Sequence, residues 1–516
     1  MLYNTLQEAY YVYIIRCHDG SYYTGLTDDL IRRYQEHIDG SYEACYTFKR
    51  RPLELKYYET IPFLKDAVER EIQIKGWSKE KKKALVESNL HKLQLLSQCQ
   101  NMTHSKYQKV DDDALHPDPV LDSARTYAPL PFDSAQGSTG QLKAGILGGG
   151  QLGRMLLQAA ANYPVETYVM ENDPECPAAH LCHHFTKGDI TSFDDVYQFG
   201  KGLDALTIEI ESVNEEALEK LEQEGVRIYP RPSALRTIKN KLLQKQFYKD
   251  NEIPASDFIV TQNLKELEQH TAYLPAVHKI GMGGYDGRGV QVILNKEDIP
   301  KGFDEPAVLE KMVPIKKEIS IIIAVNDQGE TAMYPSVDMV FDNRLNVLEY
   351  QISPAELPEK ILWKAEAIAR KVVNDLKSPG IFAVELFIDS NDNVLVNETA
   401  PRVHNSGHHT IEASYSSQFD MMWRIMQGYP LGNTSLILPA AIVNLLGAEG
   451  FSGKVEYEGL NDIMQIDNLF VHIYGKKETR PGRKMGHITI LSKEKQELIH
   501  QANRIKQTVS VKAKIG

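Results

Sequence analysis

Ile381–His409 reads IFAVELFIDSNDNVLVNETAPRVHNSGHH, and its middle decides what kind of site the chain can build. Two apolar runs flank Ser390-Asn391-Asp392-Asn393, a tight-hairpin signal in which Asn391 and Asp392 tolerate positive φ. With Asn391-Asp392 as a two-residue turn, the ladder pairs Ile388 with Leu395 and, further down, Glu385 with Glu398. Two carboxylates opposite each other on one sheet face repel, so the pairing calls for a cation. Oxygen-only ligands suit Mg²⁺, which takes one or two carboxylates and lets nucleotide phosphates complete its shell. A surface hairpin with solvated acids is the plainer reading. The polar cluster that follows, Asn397, Arg402, His404 and Asn405, weighs against it.

A second stretch, Gly283–Gly289 (GGYDGRG), places four glycines in seven residues after the strand-like PAVHK that holds Lys279. Backbone N–H groups of such a loop reach phosphate oxygens without side-chain obstruction, and Lys279 supplies a point charge. A lid, a phosphate charge and a metal pair are the parts of an ATP site.

In order along the chain, GGGQLGRM, KLLQKQFYKDNEIPASDF, GGYDGRG, VNETAPRVHNSGHHT and RPGRKMGHI resemble the ATP-grasp superfamily and, within it, the 5-(carboxyamino)imidazole ribonucleotide synthases. The resemblance covers residues from about 142 to the C-terminus. It implies ATP, 5-aminoimidazole ribonucleotide and bicarbonate as reactants, Mg²⁺ as cofactor with Mn²⁺ as a substitute, and a homodimer. Carried over residue by residue, it puts Lys241, Lys279, Gly284, Tyr285, Asp286, Gly287, Arg288, Gly289, Asn397 and Glu398 at the nucleotide. The backbone of Glu310, Lys311, Met312 and Val313 reads the purine edge, and Glu318 takes ribose hydroxyls. Glu385 and Glu398 hold the metal. Tyr285, Asp286, Arg402, His404 and Asn405 hold the imidazole nucleotide, with Arg480, Arg483 and Lys484 on its phosphate. Arg288, Arg402, His404 and Asn405 are the expected catalytic group, and the glycine loop is expected to close over a water-sensitive carboxyphosphate. Without the resemblance, Glu310 and Glu318 read as surface charge on strands.

The N-terminal segment differs. YYVYIIRC, HDGSYYTGL and LELKYYET read as strands, with helices from Asp28 to His37 (capped by Asp28 or Thr27), from Leu64 to about Lys75, and from the basic run Lys79–Lys83. This resembles the small GIY-YIG nuclease domain, with Tyr13 and Tyr23 as the signature tyrosines, Arg33 and His37 on one helix face, and Glu71 as the metal-binding glutamate. The implied chemistry is phosphodiester hydrolysis on DNA.

The net charge of −12 is uneven: residues 1–95 carry 15 Lys+Arg against 14 Asp+Glu, so the acidity lies in the remainder. An acidic body discourages polyanion binding, which leaves the first segment as the place for DNA. No apolar run reaches membrane-spanning length, the start lacks a signal-peptide pattern, and the odd set of five cysteines has no CxxC pair; cytoplasm is the default expectation.

The expected organisation is α/β and α+β multidomain: a nuclease-like domain over 1–95, a disordered linker over 96–141, a Rossmann-like domain over 142–245, an ATP-grasp domain over 246–430 and a small β-rich domain over 431–516. The strongest rival reads Gly148, Gly150 and Gly153 with Glu171 as an NAD fingerprint; we take these glycines as turn and packing residues. A DNA-processing enzyme led by the first domain, another ATP-grasp ligase and a catalytically inert ATP binder compete as well. Residue 142 begins the synthase-like part without a methionine, as a gene fusion would leave it. Mass spectrometry of the native protein is expected to find one polypeptide, and two separate chains would refute the fusion.

Overall fold

The computed structural model describes residues 10–27, 29–40, 45–61, 64–86, 141–283, 289–342 and 347–514. The expected linker and the glycine-loop residues Gly284, Tyr285, Asp286, Gly287 and Arg288 lie outside these. The chain forms two compact units, with the described residues up to 86 in one and those from 141 in the other.

In the first unit a three-stranded antiparallel sheet is centred on Tyr10–Cys17, flanked by Tyr22–Thr27 and Leu53–Ile61. The central strand buries Val12 to Ile15 continuously because both sheet faces are covered there. Its first helix runs Leu30–Asp39 and is capped by Asp29, whose carboxylate accepts the Arg32 N–H at 3.0 Å. Of the expected caps, Thr27 still belongs to the preceding strand and Asp28 lies outside the described residues. Gly40 ends the helix at φ 71°, a left-handed position that suits glycine.

The second unit opens with a parallel sheet ordered His184–Lys187, Val165–Glu171, Leu142–Leu147, Ala205–Ile208, Arg227–Tyr229. That is a doubly wound order, and its glycine loop leads into the helix Gln151–Ala160. The helix Gln418–Met426 docks on it, with the Trp423 indole N–H donating to Leu156 O at 2.6 Å.

A nine-stranded antiparallel sheet follows. Its path runs Val394–Ala400, Gly380–Asp389, Ile315–Val325, Val337–Asp342, Val347–Ser353, Ala440–Leu446, Lys484–Leu491, Leu469–Ile473, and the ninth strand, Thr331–Met333, pairs with Ile315–Val325 off this path. The C-terminal strands therefore extend the sheet that carries the hairpin. Helix Glu359–Leu376 covers that sheet with Ile361, Ala365, Ala369, Val372, Val373 and Leu376 at helical spacing. Each large aliphatic among them contributes about 1.5–3 kcal/mol by leaving water.

Within the hairpin, Glu385 does face Glu398, but Ile388 faces Val394 rather than Leu395. The turn is longer than two residues: the Asp389 carboxylate accepts the N–H groups of Asn391 and Asn393, each at 2.8 Å, and Asp392 rather than Asn391 takes positive φ, at 61°. A bulge next to the Glu385–Glu398 pair then absorbs Asn397 and restores the register.

Of the two smaller antiparallel sheets, the four-stranded one, Val290–Ile293, Ala276–Ile280, Ala307–Lys311, Phe258–Thr261, carries Lys279. The strand Ala307–Lys311 stops short of the Val313 that the apolar run suggests. His278 is fully buried in this sheet; its Nδ1 accepts the Phe303 N–H at 3.2 Å, so its Nε2–H donates to Thr261 at 2.9 Å. Burial lowers its pKa to about 4. Unfolded histidine titrates near 6.5, so the unfolded chain binds the extra proton first on acidification. This contribution is complete above pH 6.5 and lost as pH falls to about 4, up to ~3 kcal/mol. Denaturant melts of the full chain between pH 7.5 and 4 are expected to show that loss, and His278→Gln should flatten it; an unchanged slope would exclude the assignment.

Candidate active site

Asn397 and Glu398 both reach cations because the bulge breaks strict alternation at this point. Glu398 pairs with Lys241, the first residue of the helix Lys241–Asp250, whose start is fixed by Asn240 Oδ1 accepting the Leu242 N–H at 2.9 Å. The Lys241 charge holds the Glu398 carboxylate well below its usual range, even though its side chain keeps 40% exposure. Glu385 behaves oppositely: burial first, then the charges of Glu398 and Glu318, push it toward the protonated form. The pair therefore shares its charge unevenly.

Lys279 donates to Asn397 Oδ1 at 2.9 Å and lies 3.1 Å from Glu310 Oε1. Glu310 is not the surface charge that its strand position alone suggests. It is buried, with Lys245 at 2.8 Å and the Ser256 hydroxyl at 2.7 Å on Oε2. Burial would raise its pKa, but Lys279 and Lys245 hold it down at about 2. The backbone reading of Glu310–Val313 needs correction in part. The Lys311 N–H already donates to Asp257 O at 2.8 Å and the Met312 N–H to Pro275 O at 3.3 Å, so neither is open to a purine. Glu318 is half-buried, and burial raises its pKa against the pull of Lys279.

His404 sits with Nε2 3.7 Å from Glu385 Oε1 and Nδ1 2.9 Å from the Ser406 hydroxyl. Arg402 pairs with Glu211 at 2.9 Å. Asn405 is buried, and neither its amide oxygen nor its nitrogen has a hydrogen-bond partner among the described residues. A buried amide left open on both sides is what a ligand-facing group looks like. Lys484 lies near enough for its charge to act on Glu385. In the turn before it, Arg480 is exposed and Arg483 donates to Glu478 O at 2.7 Å.

The carboxylates form a set of hard oxygen donors. Among the described residues no group of three or more His, Cys, Asp or Glu is arranged to hold a metal unaided. The Glu385–Glu398 pair thus fits a divalent ion whose remaining ligands come from a bound nucleotide.

Sequence reasoning passed over Lys245, although it lies one helical turn after Lys241, a spacing that puts both on one face. It also left Glu209 and Glu211 without roles. Glu209 accepts the Leu152 N–H at 3.1 Å at the start of the glycine-loop helix, and Glu171 accepts the Gly149 N–H at 3.1 Å. Burial raises the Glu209 pKa to about 7 against the charge of Arg402. Carboxylates of the chain itself therefore take the backbone donors that an NAD pyrophosphate would need, Glu171 accepts from the glycine loop itself, and a Cβ on Gly150 would come within 2.5 Å of Glu209.

In the first unit the Tyr13 hydroxyl lies 2.9 Å from His37 Nε2, and His37 Nδ1 lies 2.8 Å from the Thr47 hydroxyl. Tyr23 packs edge-on against His37. Burial pushes Tyr13 up to about 12 against the Arg33 charge, and Glu71 adds to the rise. Glu71 itself pairs with Lys75 at 2.6 Å. Tyr13, Tyr23, Arg33, His37 and Glu71 thus share one neighbourhood.

Residues 246–419 match the ATP-grasp domain, 142–239 the ribonucleotide synthetase preATP-grasp domain, 440–501 the phosphoribosylaminoimidazole carboxylase C-terminal domain and 9–84 the GIY-YIG catalytic domain. The N5-carboxyaminoimidazole ribonucleotide synthase of Aquifex aeolicus is 33% identical over 373 residues, 70% of this chain and 96% of that enzyme. The chain belongs to the N5-carboxyaminoimidazole ribonucleotide synthase family. A chloroplastic phosphoribosylaminoimidazole carboxylase of Vigna aconitifolia is 37% identical over 362 residues, and the chain spans 64% of its length. The crystal structure of the Thermotoga maritima synthetase superposes with a TM-score of 0.67 at 37% identity, covering 72% of this chain and all of that one. The Aspergillus clavatus synthase, solved with ADP and 5-aminoimidazole ribonucleotide, gives 0.64 at 30% identity, covering 70% and 99%.

The uneven carboxylate pair of the synthase unit has opposite consequences for its two members. Glu385→Gln removes the cost of burying an acid that must be kept protonated and is expected to raise ligand-free stability, whereas Glu398→Gln leaves Lys241 unpaired and lowers it, each by about 1 kcal/mol. Equal shifts of the same sign in denaturant melts would refute this split.

Proposed function

We propose that residues 142–516 catalyse the ATP-dependent carboxylation of 5-aminoimidazole ribonucleotide by bicarbonate, giving the N-carboxylated ribonucleotide, ADP and phosphate. The observation that carries this reading is the Glu385–Glu398 pair set among Lys241, Lys279 and His404, in a chain similar to synthases solved with ATP or with ADP and the ribonucleotide.

A bicarbonate oxygen attacks the γ-phosphorus, the bond to the bridging oxygen breaks, ADP leaves and carboxyphosphate forms. Lys279 and Lys241 meet the phosphate charge as compact cations, and Lys241 does so at the expense of its pairing with Glu398. Glu385 and Glu398 would hold Mg²⁺, with Mn²⁺ as a substitute, which supplies charge neutralisation on the phosphates. The amino nitrogen of the ribonucleotide then attacks the carboxyl carbon; a C–N bond forms and phosphate departs. Arg402, His404 and the open amide of Asn405 orient these reactants, together with Tyr285, Asp286 and Arg288 from the glycine loop. Arg480, Arg483 and Lys484 take the ribonucleotide phosphate. His408 and His409, which follow Asn405 in the chain, are fully buried, and burial keeps both neutral.

We place this synthase in the cytoplasm as a homodimer. Among the described residues no helix is long and apolar enough to cross a membrane, and Cys17, Cys45, Cys176 and Cys182 are free thiols, as a reducing compartment would keep them. For the first unit, the Tyr13–His37 contact with Arg33 and Glu71 at hand supports a second activity, metal-assisted hydrolysis of DNA. Tyr13→Phe should abolish any cleavage that the full chain shows, and no cleavage by the unaltered chain would remove this second reading.

The deciding assay follows phosphate release from ATP with Mg²⁺ and bicarbonate. Release is expected to depend on 5-aminoimidazole ribonucleotide, with carboxylated product, and Glu398→Ala should abolish it while leaving the fold intact. Near-normal turnover by Glu398→Ala would discard the metal assignment. Release that ignores the ribonucleotide would point to another ATP-grasp substrate.

A further inference from the structure

We propose that Lys245 is a positioning residue for nucleotide binding: it neutralises Glu310 from behind, so that Lys279 stays extended toward the nucleotide phosphates. This rests on the ATP-site reading above and gives a role to a residue that lies in a matching stretch but has no place among the expected contacts.

Lys245 cannot touch a nucleotide itself, because its side chain is only 1% exposed. A buried ammonium costs several kcal/mol in desolvation, and an apolar side chain would fill the same space without that cost. What the charge does is visible in its partner. Glu310 divides its two oxygens: Oε2 takes Lys245 at 2.8 Å and the Ser256 hydroxyl at 2.7 Å, while Oε1 faces Lys279 at 3.1 Å. Oε1 accepts no hydrogen bond of good geometry, and the directed bond from Lys279 goes instead to Asn397 Oδ1 at 2.9 Å. Lys279 is therefore attracted by Glu310 without being captured by it, and its hydrogen-bonding direction is set from the hairpin bulge.

Without Lys245, Glu310 would have one strong counter-charge left, and a buried carboxylate draws its remaining cation into full contact. Lys279 would then turn from Asn397 and the cleft toward Glu310. The lowered pKa of Glu310, maintained by Lys279 and Lys245 against burial, agrees with a carboxylate that needs both. A different role is open to the same ion pair, namely fastening the helix Lys241–Asp250 to the strand Ala307–Lys311. The two roles differ in how Lys245 and Lys279 combine.

The test is a double-mutant cycle on the full chain, with ATP affinity measured by calorimetry for the unaltered protein, Lys245→Met, Lys279→Met and the double variant. Lys245→Met is expected to weaken ATP about tenfold, and to add less than about twofold once Lys279 is already Met. Additive losses, or unchanged affinity in Lys245→Met, would overturn the inference. Should Lys245→Met not fold, Lys245→Gln, which keeps a donor toward Glu310, takes its place in the cycle. It is expected to show the same loss and the same non-additivity with Lys279→Met, and additive losses or unchanged affinity would overturn the inference. If the unaltered chain binds no ATP, the nucleotide-site reading itself fails and this inference falls with it; if the chain binds ATP and the cycle is additive, only the inference fails.

Discussion

Two carboxylates placed opposite each other in a sheet are the constraint that the rest of the synthase unit is arranged around. Left alone, Glu385 and Glu398 repel across a strand pair that is otherwise apolar and buried. The fold answers from three directions. Helix Lys241–Asp250 begins at the hairpin and sets an ammonium on Glu398, Lys279 reaches Asn397 from the four-stranded sheet, and burial leaves Glu385 holding a proton. A charged Glu385 would bring the repulsion back, so keeping that acid protonated, with Lys241 on Glu398, costs the ligand-free site stability. On the proposed function, a divalent ion arriving with nucleotide phosphates would relieve that cost. That is one way in which stability is given up for function.

The hairpin shows how far a period-2 argument carries. Counting from an assumed two-residue turn pairs Glu385 with Glu398, and the pairing is found. The count succeeds through two departures that cancel: a longer turn organised by Asp389 shifts the ladder by one residue, and the bulge at Asn397 shifts it back. Neither departure shows in hydrophobic alternation, because a bulge is a backbone event with no composition of its own. Helix Glu359–Leu376 was legible for the opposite reason, since its apolar residues recur on one face. The N-cap at Asp29 was missed by one residue where three consecutive cap-competent residues, Thr27, Asp28 and Asp29, compete for the role.

Charge placement was the least legible part. From the sequence, Glu310 on a short strand and Lys245 within a polar helix both look like solvent-facing residues. Their burial follows from tertiary packing of the helix Lys241–Asp250 against the strand Ala307–Lys311, elements that come from separate segments. The glycine fingerprint illustrates the reverse error. Its spacing matches a dinucleotide loop, yet Glu209 and Glu171 occupy the backbone donors that give such a loop its affinity for phosphate. The glycines are needed instead for close approach: a Cβ on Gly153 would come within 2.9 Å of Gly148 O.

The nine-stranded sheet has a mechanical meaning. It runs without a break from the carboxylate hairpin to the strand that begins at Lys484, so Lys484, proposed for the ribonucleotide phosphate, and Glu385 and Glu398, proposed for the metal, are mounted on a single hydrogen-bonded plate. Such a plate works as a fixed gauge: the separation between two bound substrates is measured out by strand spacing and does not depend on how a hinge happens to settle. Lys279 stands on a different sheet, and so does the strand that follows the glycine loop. On the proposed function, adjustment to an arriving nucleotide would fall to that smaller sheet, while the larger one would hold the distance that the carboxyl group must cross.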